Sequence, residues 1–195
     1  MKKALFLAPA LLLTVVILTG AGCQTTTTDT NTADADTNAA VTESSVWTDA
    51  TDQGTIPDTT ASGTLNGQDF TATYVEVHNW DDHYTVEFSN TAPDEECGVV
   101  MDNDAISFST KDLQIGTFDK ALEDELAFDD YNAYYYYEQE SGTPMSVNVD
   151  WAGKLVVSNI DEATDTVTGW ADFTFDSEAG EETAISGAFT APICE

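Results

Sequence analysis

The chemistry open to this chain begins with its histidines, because there are only 2. His78 and His83 flank Asn79, Trp80, Asp81 and Asp82, a loop composition that predicts a hairpin with the two imidazoles on facing strands beside Asp81. Two imidazoles and a carboxylate can hold a divalent transition metal, whereas aspartates at such a tip also serve the turn itself. Acidic clusters at Asp94–Glu96, at Asp102 and Asp104, at Asp161, Glu162 and Asp165, and from Asp176 to Glu182 offer the hard oxygen ligands that calcium prefers. None has EF-hand spacing: Asp102-Asn103-Asp104 lacks the later glycine and glutamate. The candidate metal set is therefore His78, Asp81, His83, Asp102 and Asp104, with calcium as the possible cofactor and solvated loops as the alternative. A third feature is the aromatic run Tyr131, Tyr134, Tyr135, Tyr136, Tyr137. On a strand, alternate side chains share a face, so Tyr134 and Tyr136 with Trp151 are the candidate platform for a sugar or peptide, and core packing is the alternative.

Catalysis has less to build on. Paired carboxylates can hydrolyse glycosides, but no pair stands out from the 36 acids, and neither a nucleophile elbow nor a glycine-rich phosphate loop is present. The expectation is a non-enzymatic protein.

The elements that would carry these residues read as strands. Thr166 to Phe175 alternates apolar and polar residues with the period of two of a half-buried strand, and Ile185, Gly187 and Phe189 repeat it. Lys154 to Ile160 precedes them through Asp161–Asp165, and a turn by composition spans Ser177–Glu181, which predicts three consecutive antiparallel strands. Phe70 to His78 and Tyr84 to Phe88 form the predicted hairpin. Weaker strands are predicted at Ser62–Leu65, Ala105–Ser109, Leu113–Gly116, Ala133–Glu138 and Ser146–Asp150. Only Asp119–Phe128, with Leu122 and Leu126 four apart, suggests a short helix. The fold class is all-β: an antiparallel sandwich or barrel-like domain with at most one short helix.

Charge narrows the partners. The chain has 36 acidic residues, 5 lysines, no arginine and a formal net charge of −31. Such a surface repels nucleic acid and anionic lipid headgroups. It also repels itself, which points to salt adaptation, since 1 M salt shortens the Debye length to about 3 Å.

The N-terminus gives the address. Lys2 and Lys3 precede an apolar run, Ala4 to Leu18, that is shorter than the roughly 20 residues of a membrane-spanning helix. This is the layout of a signal peptide, residues 1–22. Thr19, Gly20, Ala21 and Gly22 then lead to Cys23, which resembles the lipobox of bacterial lipoproteins; Gly20 stands where that family usually has leucine, with Leu18 two residues further back. The resemblance implies that Cys23 becomes the lipidated first residue. A cut near Ala21 or Gly22 by an ordinary signal peptidase is the alternative. Gln24 in place of an aspartate after the cysteine suggests the outer membrane where the cell has one. With Cys23 acylated, Cys97 and Cys194 remain as a pair in a compartment that permits disulfides, two free thiols being the alternative. Residues 23–60, rich in Thr, Ala, Asp and Asn, read as a disordered tether with an end-to-end distance of about 35 Å; Trp47 is its one aromatic residue, expected to be exposed, with docking on the domain as the alternative. Residues 61–195 make the folded domain.

The opening Gly63-Thr64-Leu65-Asn66-Gly67-Gln68-Asp69-Phe70 and the ending Gly187-Ala188-Phe189-Thr190-Ala191-Pro192-Ile193-Cys194 resemble a group of bacterial lipoproteins with small β domains. That resemblance implies a fold and the Cys97–Cys194 disulfide, and no activity. The expected role is an exported, lipid-anchored domain that meets envelope or extracellular protein or glycan, or serves envelope structure. A calcium-dependent carbohydrate- or protein-binding module is the alternative, and a secreted glycoside hydrolase the third.

Overall fold

A computed structural model describes residues 46–98, 104–139, 141–176 and 181–195. The signal peptide, Cys23, the tether up to residue 45, Asp102 and residues 177–180 of the turn between the last two predicted strands lie outside the described residues. Twelve strands form: β1 (Trp47–Thr48), β2 (Ser62–Leu65), β3 (Gln68–Thr71), β4 (Tyr74–Asn79), β5 (Tyr84–Ser89), β6 (Ala105–Thr110), β7 (Gly116–Lys120), β8 (Tyr131–Glu138), β9 (Pro144–Val147), β10 (Trp151–Asp161), β11 (Thr166–Phe175) and β12 (Thr183–Cys194). Among the described residues there is no helix, so the domain is all-β.

The strands follow one another as β1-β7-β10-β11-β12-β4-β5-β6-β8-β9, curling into a half-barrel, with β2 and β3 branching from β12. Strand β12 is the hinge of this path. Its first half pairs antiparallel with β2, Ala184 opposite Thr64, while its end pairs parallel with β4, Ile193 opposite Val77. The predicted β10-β11-β12 meander is present in continuous register except for a bulge between Val157 and Asn159.

Alternation explains the core. Inward residues of β4, β5, β6 and β8 (Val75, Val77, Val86, Phe88, Ile106, Phe108, Ala133, Tyr135) meet those of β7 and β10 to β12 (Phe118, Trp151, Leu155, Phe173, Phe175, Phe189) in one cluster. Aromatic rings bridge the two arms of the curl: Phe108 lies 4.9 Å from Phe118, 5.3 Å from Phe173 and 5.7 Å from Trp151, and Phe88 lies 5.5 Å from Phe189. Gly153 makes room for this packing, because a Cβ there would sit 2.3 Å from the Phe173 ring.

Three expectations are corrected. The short helix at Asp119–Phe128 is absent: Phe118 is fully buried in β7, which runs to Lys120, and the remaining residues make turns that leave Leu122 47% exposed. A helix this short needs a partner surface for its apolar side, and Leu122 finds none. The strand expected at Leu113–Gly116 starts at Gly116, and that at Ser146–Asp150 is displaced to Pro144–Val147.

The folded body also begins earlier than Ala61. Trp47 is 5% exposed and pairs across from Phe118, with its indole Nε1 donating to Thr110 Oγ1 at 3.4 Å. Residues 49–61 then cross the outer face of the sheet as a strap. The Thr117 hydroxyl donates to Ala50 O at 2.6 Å and accepts from Asp52 N–H at 3.2 Å. Further on, Asp58 Oδ1 accepts from Trp170 Nε1 at 2.9 Å, and Thr59 O accepts from Ala188 N–H at 2.7 Å. Ile56 in the strap and Val156 on β10 are both buried outside the main cluster. Polar composition hid this because the strap is held largely by backbone and side-chain hydrogen bonds, with Trp47 just before it and Ile56 and Ala61 within it as its buried apolar residues.

Candidate functional site

The outward residues of β4, β5, β6 and β8 bring together features that lie far apart in sequence. Register sets Glu76 opposite Glu87, Glu87 opposite Ser107, and Ser107 opposite Tyr134. One step along the sheet, Tyr74 is opposite Ser89 and Ala105 is opposite Tyr136; one step the other way, His78 is opposite Thr85 and Ser109 opposite Asn132. The result is a polar face of two glutamates and three tyrosines with His78 at its edge.

Hydrogen bonds organise this face. His78 Nε2 lies 2.8 Å from Glu76 Oε1, and the Tyr136 hydroxyl donates to Glu87 Oε1. Glu76 is 4% exposed, and the fully buried Ser107 hydroxyl makes no hydrogen bond. The Tyr74 hydroxyl accepts from Cys97 N–H at 3.1 Å. Burial holds the Tyr74 phenol above its ordinary pKa, opposed by that N–H and reinforced by the charges of Glu76 and Glu96.

The hairpin tip is built as predicted, but its imidazoles do not converge. Trp80 stands between them, its ring 5.2 Å from His78 and 6.3 Å from His83, nearly parallel to both. The indole is fixed by Nε1 donating to Thr85 Oγ1 at 3.2 Å, yet Trp80 remains 54% exposed. His83 Nδ1 lies 2.7 Å from Asp82 Oδ1, a hydrogen bond that holds the Asp82 carboxyl below its ordinary pKa. Asp81 takes a left-handed turn conformation, φ 69°, with its N–H bonded to Asn79 Oδ1. Among the described residues no three His, Cys, Asp or Glu side chains gather to hold a metal ion. Asp104 bonds to Asn90 Nδ2 and to the Glu138 N–H, pinning the start of β6 to the end of β8.

Tyr134 and Tyr136 do share a face, with ring centroids 6.4 Å apart. Trp151 is not with them: it points into the half-barrel, 6% exposed, against Phe108 and Phe118. Parity along the strand placed the tyrosines; no parity rule relates β8 to β10, which only the curl of the sheet brings near each other.

Sequence reasoning did not single out Glu76 and Glu87. The signal was there: each glutamate lies between two apolar residues of a strand, Val75 and Val77, or Val86 and Phe88, which fixes both on the outer face.

Among the grooves of the described residues, two adjoin Tyr74 and Trp151 respectively. One of about 440 Å³ lies where β12 changes partner, between Trp170 and Tyr74. A larger one, about 660 Å³, is lined by the 120–128 segment with Asn132, Asn148, Asp150 and Trp151. Lys120 lies at its base, 8% exposed, donating to Trp151 O at 2.7 Å and Ala121 O at 3.0 Å with its ammonium over the Trp151 ring. Comparison with protein-family models, curated proteins and solved structures finds no match to this chain.

Proposed function

We propose that this protein is a lipid-anchored, acidic, non-catalytic binding module that works through the outer surface of its half-barrel. One observation carries the reading: the concave side is filled by packed rings from both arms of the curl, so the polar network and the Trp170–Tyr74 groove lie on the outside, and the larger groove opens beside Trp151 at the margin of that packed interior. The lipobox-like Gly20-Ala21-Gly22-Cys23 supplies the anchor. The test is metabolic labelling with an alkyne fatty acid followed by fractionation. Wild type should carry the label and partition with membranes, and Cys23→Ser should lose both. An unlabelled wild type, or membrane retention of the variant, would overturn the anchor.

The Glu76–Glu87 pair favours a second reading, glycoside hydrolysis by two facing carboxylates. Burial of Glu76 shields one of the pair from substrate, which places this reading second. Turnover on a glycan panel that is lost in Glu87→Gln would put it first.

A further inference from the structure

The larger groove has an unusual rim. Residues 121–130 mix acids with apolar residues: Leu122, Leu126 and Phe128 among Glu123, Asp124, Glu125, Asp129 and Asp130. Turns hold this segment open. Asp124 Oδ2 accepts from Ala121 N–H at 2.8 Å, Ala127 O accepts from both Asp130 and Tyr131 N–H, and Lys111 pairs with Asp130 at 3.7 Å. Leu126 packs partly against the core, whereas Phe128 is 64% and Leu122 47% exposed. Both line the same groove, together with Glu123, Asp124, Glu125 and Asp150.

Two exposed apolar side chains that share a groove with four acidic residues select their occupant. A second copy of this chain, at a formal −31, is repelled. An anionic membrane is repelled for the same reason. The surface fits a segment that is both basic and apolar, whose apolar residues cover Leu122 and Phe128 while its ammonium or guanidinium groups meet the four lining carboxylates. Lys120 is no obstacle, because its ammonium is turned to two backbone carbonyls and the Trp151 ring.

We infer that the groove between the 121–130 segment and Asn148–Trp151 binds basic amphipathic peptide segments of partner proteins. This rests on the reading of the exterior as the working surface, but it is tested separately: failure of the anchor appears in Cys23 labelling, and failure of the groove appears in peptide binding.

The experiment is fluorescence anisotropy with the chain from residue 24 onward, at about 0.15 M salt, where the Debye length of about 8 Å already screens distant charges. The probes are a labelled lysine–leucine peptide and a lysine–serine peptide of equal length and charge. The lysine–leucine peptide should bind at least about tenfold tighter, which corresponds to about 1.4 kcal/mol. The double variant Leu122→Ser with Phe128→Ser, both exposed and therefore compatible with folding, should lose that preference and keep the weak binding common to both peptides. Equal binding of the two peptides by wild type would overturn the inference, as would a preference that survives in the double variant. Amide NMR shifts on adding the lysine–leucine peptide should concentrate at residues 120–132 and 148–151; shifts confined to the Trp170–Tyr74 groove would also overturn it.

Discussion

Phe108 touches Phe118, Trp151 and Phe173 from a fully buried position in β6, so its ring joins the two arms of the curl. Phe108→Ala is predicted to cost about 3–5 kcal/mol, read as a lowered denaturant midpoint. A loss below about 1 kcal/mol would mean that the interior is not closely packed. Tyr74 gives a prediction in pH. Its folded pKa is raised, chiefly by burial, so the folded state keeps the phenolic proton longer than the unfolded chain, whose tyrosine titrates near 10. The associated stability is whole below about pH 10 and falls as pH rises through the folded value. Wild type should therefore lose stability faster than Tyr74→Phe above about pH 10; parallel curves would contradict the assignment. At this scale alternation was legible, because β-strand parity placed Tyr134 with Tyr136 and put the rings of Phe88 and Phe173 inside. Stacking was not: nothing in the spacing of His78 and His83 reveals that Trp80 separates their imidazoles.

Among the elements, the meander β10-β11-β12 and the hairpin β4-β5 were legible because β5, β11 and β12 alternate and turn compositions separate the strands, although the stretch read as one strand from Phe70 to His78 is split at Ala72–Thr73 into β3 and β4. The strap and β7 were not. The strap's alignment depends on partners far along the chain, Thr117, Trp170 and Ala188, and the end of β7 is set by burial of Phe118 rather than by the Leu122–Leu126 spacing that suggests a helix. Gly187 shows how tightly the strap is seated, since at φ 151° a Cβ there would lie 2.5 Å from Ala61 Cα. A chain starting at residue 61 should thus melt well below one starting at residue 46, having lost Trp47 and Ile56 from their buried sites and the hydrogen bonds at Thr117 and Trp170. Equal melting temperatures would show that the strap is an ornament on a domain complete without it.

For the molecule as a whole, two features hold the ends of a strongly self-repelling chain. The strap fastens the N-terminal side, and the Cys97–Cys194 disulfide, with a sequence separation of 97, ties the penultimate residue to the β5–β6 connection. Closing a loop of about 100 residues is worth roughly 4.7 kcal/mol in chain-entropy terms. Cys97→Ser should lower the melting temperature substantially and leave a titratable thiol at Cys194; unchanged melting would contradict that role. The acidic excess was plain in the composition, and its consequence is that added salt should stabilise the fold by screening. What composition leaves open is whether the carboxylates act as a solvated coat around a binding surface or as ligands of a specific cation. The most direct test is thermal unfolding of residues 24–195 in a salt series, with millimolar calcium compared against equal magnesium. A solvated coat predicts melting temperatures that rise with salt and agree between the two cations. A rise of several degrees in calcium over magnesium, about the effect of 1 kcal/mol in a domain of this size, would contradict it and make calcium part of the fold.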